Sequence, residues 1–493
     1  MPKNLLINGA WVPSRSARTR EIKNPATLEA IDVVSDADAG DVDAAVQAAR
    51  QAQHAWWKTP GVEKGKLLHE VATKIRGRER ALSTLMCRET GKPLIEAVDC
   101  IDWVAACFHY AEVGRRSWGN SMPPVLPHQV NFTIKEPYGV VAAIVPFNFP
   151  LLLMAWKVAP ALMAGNTLVC KPPHQNPLCN LLMAECYDGL PVGVVNLVTG
   201  AADTGRLLVE HPDVDLIAFT GSVSVGRSIA ATAGAHLKKV NLELGSVDPL
   251  IVFADADLDA AVPGTAWARL LNAGQVCTSA KRIYVEQSIA PEFTDRLIEY
   301  VGKLSVGDPM DPTIDIGPMI SAEALATVER QIAEALQQGA RLALGGKRVS
   351  PAGLAGHFLQ PTVLTGVPHG SLPTTEEVFG PVLSVTPVRD ADEAIAFAND
   401  SRYGLGASIF TANLATAMKA MENIKAGTFW VNDPLTDNDA GPFGGMRWSG
   451  IGRELGEEGL DAFREPKHVH LDYIMERKFY WYPYRERPIP ESH

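Results

Sequence analysis

No apolar run in this sequence is long enough to cross a bilayer; the longest candidate, Leu151 to Leu162, is interrupted by Lys157 and Pro160. The start, Met1 to Gly9, has no adequate apolar core before Asn8 and Gly9, so it does not read as a signal peptide. Cysteine is scarce: seven in 493 residues, an odd number, irregularly spaced and without a CxxC pair. That speaks against a disulfide framework and fits reduced thiols in a cytoplasm. Positive charge is not in excess either. A net charge of −11 argues against a nucleic-acid surface and against an anionic membrane. There is no internal repeat and no low-complexity segment. No metal site is indicated: His468 and His470 alternate on a strand without nearby ligands and read as a solvated or interface pair.

What is present is ordinary in bulk, with 46% hydrophobic and 20% charged residues. The length exceeds one hydrophobic core, so two or three domains are expected. Asp41 to Trp57 reads as a helix, with Val42, Ala45, Val46, Ala49, Ala52 and Trp56 on one face. Helical patterns continue to about Val113. From Tyr138 strands alternate with helices. The strands are Gly139–Val145, Thr167–Lys171, Val194–Val198 and Leu216–Phe219. The helices are Pro150–Gly165, a stretch ending near Tyr187, Gly205–Glu210 and Ser224–Ala233. Such alternation implies a parallel sheet covered on both faces. A second series, from Leu250 to about Gly427, includes strands Pro249–Phe253, Arg282–Glu286, Val382–Pro387 and Gly406–Phe410. The tail differs: His468–Tyr473 reads as a strand, and Met475–Tyr484 holds five aromatics in ten residues.

Three short segments carry reactive side chains. Cys277 closes Asn272-Ala273-Gly274-Gln275-Val276-Cys277, and glycine there permits close backbone approach to a ligand. Glu243, 34 residues upstream, lies in the apolar stretch Val240–Leu244, where a buried charge is costly. An isolated glutamate there would pair with Lys238 or Lys239. Asn148, between Phe147 and Phe149, is either a turn residue or a neutral donor for a developing oxyanion. A thiol with a carboxylate suits a nucleophile followed by a general base. Phe219-Thr220-Gly221-Ser222-Val223-Ser224-Val225-Gly226 follows a strand and opens a helix, which suits a pyrophosphate. Alone, that spacing is a weak signal and also fits an ordinary turn.

Together these segments resemble the aldehyde dehydrogenase superfamily along nearly the whole chain. Further marks are Asn8-Gly9-Ala10-Trp11, Gly427-Thr428-Phe429-Trp430-Val431-Asn432 and Pro442-Phe443-Gly444-Gly445. The resemblance implies an α/β fold: a Rossmann-type cofactor domain (1–116 and 137–244), an α/β catalytic domain (245–446), and a small β oligomerisation element with the tail (117–136 and 467–493). It makes Cys277 the nucleophile and Asn148 the oxyanion donor, together with the nucleophile's own N–H. Glu243 becomes the base for Cys277, for a hydrolytic water, or for both. Phe219, Gly221, Ser222 and Gly226 form the dinucleotide loop, with Ile144 and Leu244 beside it. Lys171 would contact the adenosine ribose, Glu377 the nicotinamide ribose, and Phe379 the nicotinamide ring. Without the resemblance, Lys171 and Glu377 would default to solvated charges.

The family commonly reads LELGGK at the glutamate motif; here Ser246-Val247 replaces Gly-Lys. Many NAD-preferring members carry an acid where His174 stands. A protonated histidine attracts a 2′-phosphate and an acid repels it, so NAD or NADP remains open. The implied reaction is oxidation of an aldehyde to the acid through a thiohemiacetal and a thioester. Trp103, Phe149, Leu153, Trp156 and Leu271 would line the tunnel and favour an apolar or aromatic substrate. Asp437 is placed near the mouth. A homodimer or homotetramer is expected. The alternatives are a CoA-acylating aldehyde dehydrogenase and a non-catalytic binding protein on the same scaffold.

Overall fold

A computed structural model describes residues 3–486, so positions 487–493 of the expected tail lie outside the described residues. Three sheets organise the chain, with a two-stranded ribbon, Thr19–Lys23 against Ala30–Ser35. The largest sheet has eight strands. Its parallel centre runs Lys239–Glu243, Leu216–Thr220, Val140–Ile144, Thr167–Lys171, Val195–Leu197. Leu5–Ile7 joins it antiparallel at one edge and Gly450–Ile451 at the other. The central strands are buried along their whole length, as near-continuous Val, Ala, Ile and Leu sequences require in a sheet covered on both faces.

Local chemistry sets the helix limits. Helix Ala39–Lys58 starts at a reciprocal cap between Asp38 and Asp41. Helix Pro150–Ala164 has Pro150 in its first turn and ends at Gly165, whose φ of 101° is left-handed. The expected helix before Tyr187 is shorter than its pattern: Leu178–Ala184 is helical and Glu185–Tyr187 tightens to a 3₁₀ turn.

The second sheet has seven strands, ordered Arg341–Leu344, Thr362–Thr365, Val382–Val388, Arg282–Glu286, Pro249–Val252, Gly406–Phe410, Thr428–Val431. All neighbours are parallel except the first pair. A third sheet pairs Arg464–Asp472 with Gln129–Pro137, and that strand with Ser121–Met122. The strand expected from His468 therefore begins four residues earlier, where Arg464 opposes Pro137. All seven cysteines are unpaired, and six are buried. No helix among the described residues is long and apolar enough to cross a membrane.

Candidate active site

After helix Leu258–Leu270 the backbone turns left-handed for three residues. Asn272, Ala273 and Gly274 have φ of 52°, 54° and 72°. For residues with side chains such conformations cost about 1–3 kcal/mol each and persist only where the surroundings over-determine them. Arg269, fully buried, donates from Nη1 to Gly274 O (3.0 Å) and Ser279 Oγ (2.9 Å), and from Nη2 to Val378 O (2.7 Å). Gln275 Nε2 donates to Asn272 O at 3.0 Å. Asn148 Nδ2 donates to Gln275 O at 3.0 Å, and Asn272 Nδ2 to Asn148 O at 3.2 Å. The buried Asn148 and the loop before Cys277 thus form one hydrogen-bonded unit. The carbonyl of Cys277 accepts from Ser246 Oγ and from the fully buried Lys281 Nζ. The departure at Ser246 therefore ties down the residue that bears the thiol.

Burial pushes the Cys277 thiol up to about 12. The Lys281 ammonium opposes this, while Glu377, Asp248 and Glu243 add to it. In this state the thiol is protonated at neutral pH, and attack on a carbonyl needs a base. Glu243 closes strand Lys239–Glu243, 3% exposed. Neither carboxylate oxygen has a hydrogen-bond partner among the described residues. Lys238 is not its partner, since that ammonium donates to Val209 O (2.8 Å) and His211 O (2.5 Å). Burial raises the Glu243 carboxyl well above the usual carboxylate range and Glu454 adds to this, with Lys157 and Arg453 opposing. Lys157 and Glu454 form a fully buried ion pair, and Lys157 also donates to Thr220 Oγ1 at 2.7 Å. Neither residue is legible as functional in the sequence, because 297 positions separate them.

The cofactor candidates gather at the carboxyl ends of the parallel strands, the edge where open α/β sheets bind ligands. Ile144, Phe219 and Lys171 lie at or near the ends of three adjacent strands. Ser222 caps helix Val223–Ala235, accepting from Val225 N at 3.4 Å. A side chain at Gly221 would strike Phe219, and one at Gly226 would strike Leu244. The helix N-terminus, the glycines and the buried Lys171 ammonium fit a dinucleotide pyrophosphate and ribose. Burial lowers Lys171 to about 8, and the Arg20 charge lowers it further. His174 is exposed; partial desolvation, then Arg20 and Lys171, shift it below its ordinary value. Arg20, missed in the sequence, shifts both groups and is itself paired with Asp36 at 2.7 Å. Glu377 is no solvated charge: it pairs with Lys281 at 3.2 Å and accepts from Ser246 N at 3.1 Å. Phe379 stands edge-on to Phe147 at 6.0 Å between ring centres.

In front of Cys277 opens a cavity of about 680 Å³. Trp103, Phe149, Leu153, Trp156 and Leu271 all line it, with Phe443 and Trp267. Trp156 and Phe443 pack with ring centres 4.8 Å apart. The charged lining residues are Glu96, Asp99, Asp315 and Asp437; no lysine, arginine or histidine among the described residues lines the space. Burial pushes Asp437 up to about 7. Asn148 and Glu243 do not line this cavity.

A thiol at the end of an apolar tunnel, beside a sheet edge that fits a dinucleotide, suits an NAD(P)-dependent oxidoreductase. Residues 11–469 match the model of the aldehyde dehydrogenase family, and the chain belongs to that family. It is 38% identical to glutarate-semialdehyde dehydrogenase of Pseudomonas aeruginosa, covering 95% of this chain and 97% of that protein. It is likewise 38% identical to NADP(+) succinate-semialdehyde dehydrogenase of Escherichia coli, over 94% and 96% of the two chains. The crystal structure of betaine aldehyde dehydrogenase from Staphylococcus aureus in complex with NAD+ superposes with a TM-score of 0.95 at 36% identity, covering 98% of this chain and 97% of that one. The protein is an NAD(P)-dependent aldehyde dehydrogenase.

Proposed function

We propose that Cys277 attacks the aldehyde carbon and that the free N–H of the Asn148 amide, with the Cys277 N–H, holds the oxyanion of the thiohemiacetal. A bound nicotinamide supplies the acceptor for the hydride. Glu243, once ionised, then activates the water that releases the acid from the Cys277 thioester. Lys157 and Glu454 hold its charge in balance. Transfer to a CoA thiol needs no such base and is not favoured. Lys171 holds the adenosine ribose and Glu377, with Phe379, the nicotinamide end. Residues 1–116 and 137–244 serve as the cofactor domain and 245–446 as the catalytic domain. The three-stranded sheet and tail join subunits of a dimer or tetramer in a cytoplasmic enzyme.

The observation that carries the reading is the Cys277 thiol, hydrogen-bonded through its loop to Asn148 and open to an aromatic tunnel. The tunnel favours neutral aromatic or aliphatic aldehydes. Its all-acidic charged lining opposes aldehydes that end in a carboxylate. Steady-state kinetics with benzaldehyde, hexanal and succinate semialdehyde test this. Benzaldehyde and hexanal should exceed the semialdehyde in kcat/KM by roughly tenfold or more, a difference of about 1.4 kcal/mol. A preference for the semialdehyde would refute it.

A further inference from the structure

Glu96 shares the tunnel wall with Cys277 but has no part in the steps above. It stands in the first turn of helix Leu94–Ala111. Both its oxygens accept the backbone N–H of Asn272, at 3.3 and 3.0 Å. Asn272 is the first of the three left-handed residues that lead to Cys277. An N–H at such a turn has no partner in regular structure, and a carboxylate satisfies it strongly. Lys92, with no exposed surface, sits 4.0 Å from Glu96 and 3.4 Å from the centre of the Phe149 ring. Its ammonium has no hydrogen bond among the described residues. Phe149 directly follows Asn148. This buried pair thus touches both halves of the reaction centre.

Given that Cys277 is the nucleophile, we infer that Glu96 and Lys92 are a positioning pair. Glu96 clamps the left-handed turn that delivers Cys277, and Lys92 seats Phe149 so that Asn148 meets the same carbonyl. An acceptor that keeps its charge holds the turn more firmly than a neutral one. Burial raises Glu96 to about 7, Lys92 opposes this, and Asp99 adds to it; the Cys100 and Cys87 thiols lie within reach of its charge. As pH falls through that value the carboxyl takes up a proton and the clamp weakens.

The test uses the full-length enzyme with Glu96→Gln and Glu96→Ala. The readouts are the single-turnover burst of reduced cofactor across pH, and the Kd of the oxidised cofactor by fluorescence. The burst should slow about tenfold in Glu96→Gln and up to about a hundredfold in Glu96→Ala, because a small displacement of reacting groups is that costly. Cofactor Kd should stay within about twofold, since Glu96 is remote from the dinucleotide edge. The wild-type fall in burst rate through about pH 7 should be shallower in Glu96→Gln, which keeps only the pH dependence of activating the Cys277 thiol. Burst rates within about twofold of wild type, or a loss of cofactor affinity in step with the burst, would overturn the inference. If Glu96→Ala does not fold, the pH profile of Glu96→Gln decides. Turnover in Cys277→Ala sinks the nucleophile, whereas an inactive Cys277→Ala beside unaffected Glu96 variants sinks only the positioning pair.

Discussion

At the scale of single residues, the chemistry turns on groups whose protons are displaced by burial. Cys277→Ala should abolish aldehyde oxidation while retaining cofactor binding, checked by turnover and fluorescence titration. In the proposed mechanism Glu243 acts as a base only when ionised, and its carboxyl lies well above the ordinary range. Steady-state turnover should therefore rise with pH through a limb above about 4.3, the unperturbed glutamate value. Glu243→Gln should lose that limb, giving one burst of reduced cofactor and then slow turnover. A steady-state profile unchanged in that variant would remove Glu243 from the mechanism. At the adenosine end, His174→Glu places a carboxylate beside Arg20 and Lys171. It should lower the NADP-to-NAD ratio of kcat/KM by roughly tenfold, about 1.4 kcal/mol. No change in the ratio would mean that residue 174 does not face the ribose.

At the scale of elements, helix Pro150–Ala164 brings Lys157 under the strand end that carries Glu243, and the loop after Ile451 brings Glu454. Removing one partner of a buried pair leaves the other charge without compensation. Lys157→Met should cost about 3–5 kcal/mol in urea unfolding at pH 7. Burial raises the Glu454 carboxyl, so the stranded group becomes neutral as pH falls, and the cost should shrink at lower pH. A cost independent of pH would mean that the pair is not ionised in the native state.

At the scale of the whole molecule, the strand Arg464–Asp472 is the edge of its sheet. Beyond it, Phe479, Tyr480, Trp481, Tyr482 and Tyr484 stay 47–77% exposed. The tail is tied to its own sheet by Lys478 to Asp472 at 3.0 Å, and Tyr473 Oη donates to Pro127 O at 3.2 Å. An exposed aromatic patch beside an open strand edge suits a neighbouring subunit. Deleting the residues after Met475 should lower the assembly state measured by light scattering, or raise KM for the aldehyde more than for the cofactor. Unchanged assembly together with unchanged aldehyde kinetics would rule out this role.

The sequence by itself determined the alternation of strands and helices, because burial on both faces demands apolar strands and the breaks demand Pro150, Gly165 and their like. It also carried the three short segments around Cys277, Glu243 and Asn148, which single out those residues only when read together as a resemblance. The tunnel residues Trp103, Phe149, Leu153, Trp156 and Leu271 were named from the resemblance, and they do line one cavity. Only the tertiary structure decided which partners the charged groups find. Lys157 with Glu454, Lys281 with Glu377, Glu96 with Asn272 and Arg20 near Lys171 are each built from distant segments. Read singly they are ordinary charged residues of helices and strands. Their protonation is set by desolvation and by neighbours in space, and a linear sequence carries neither.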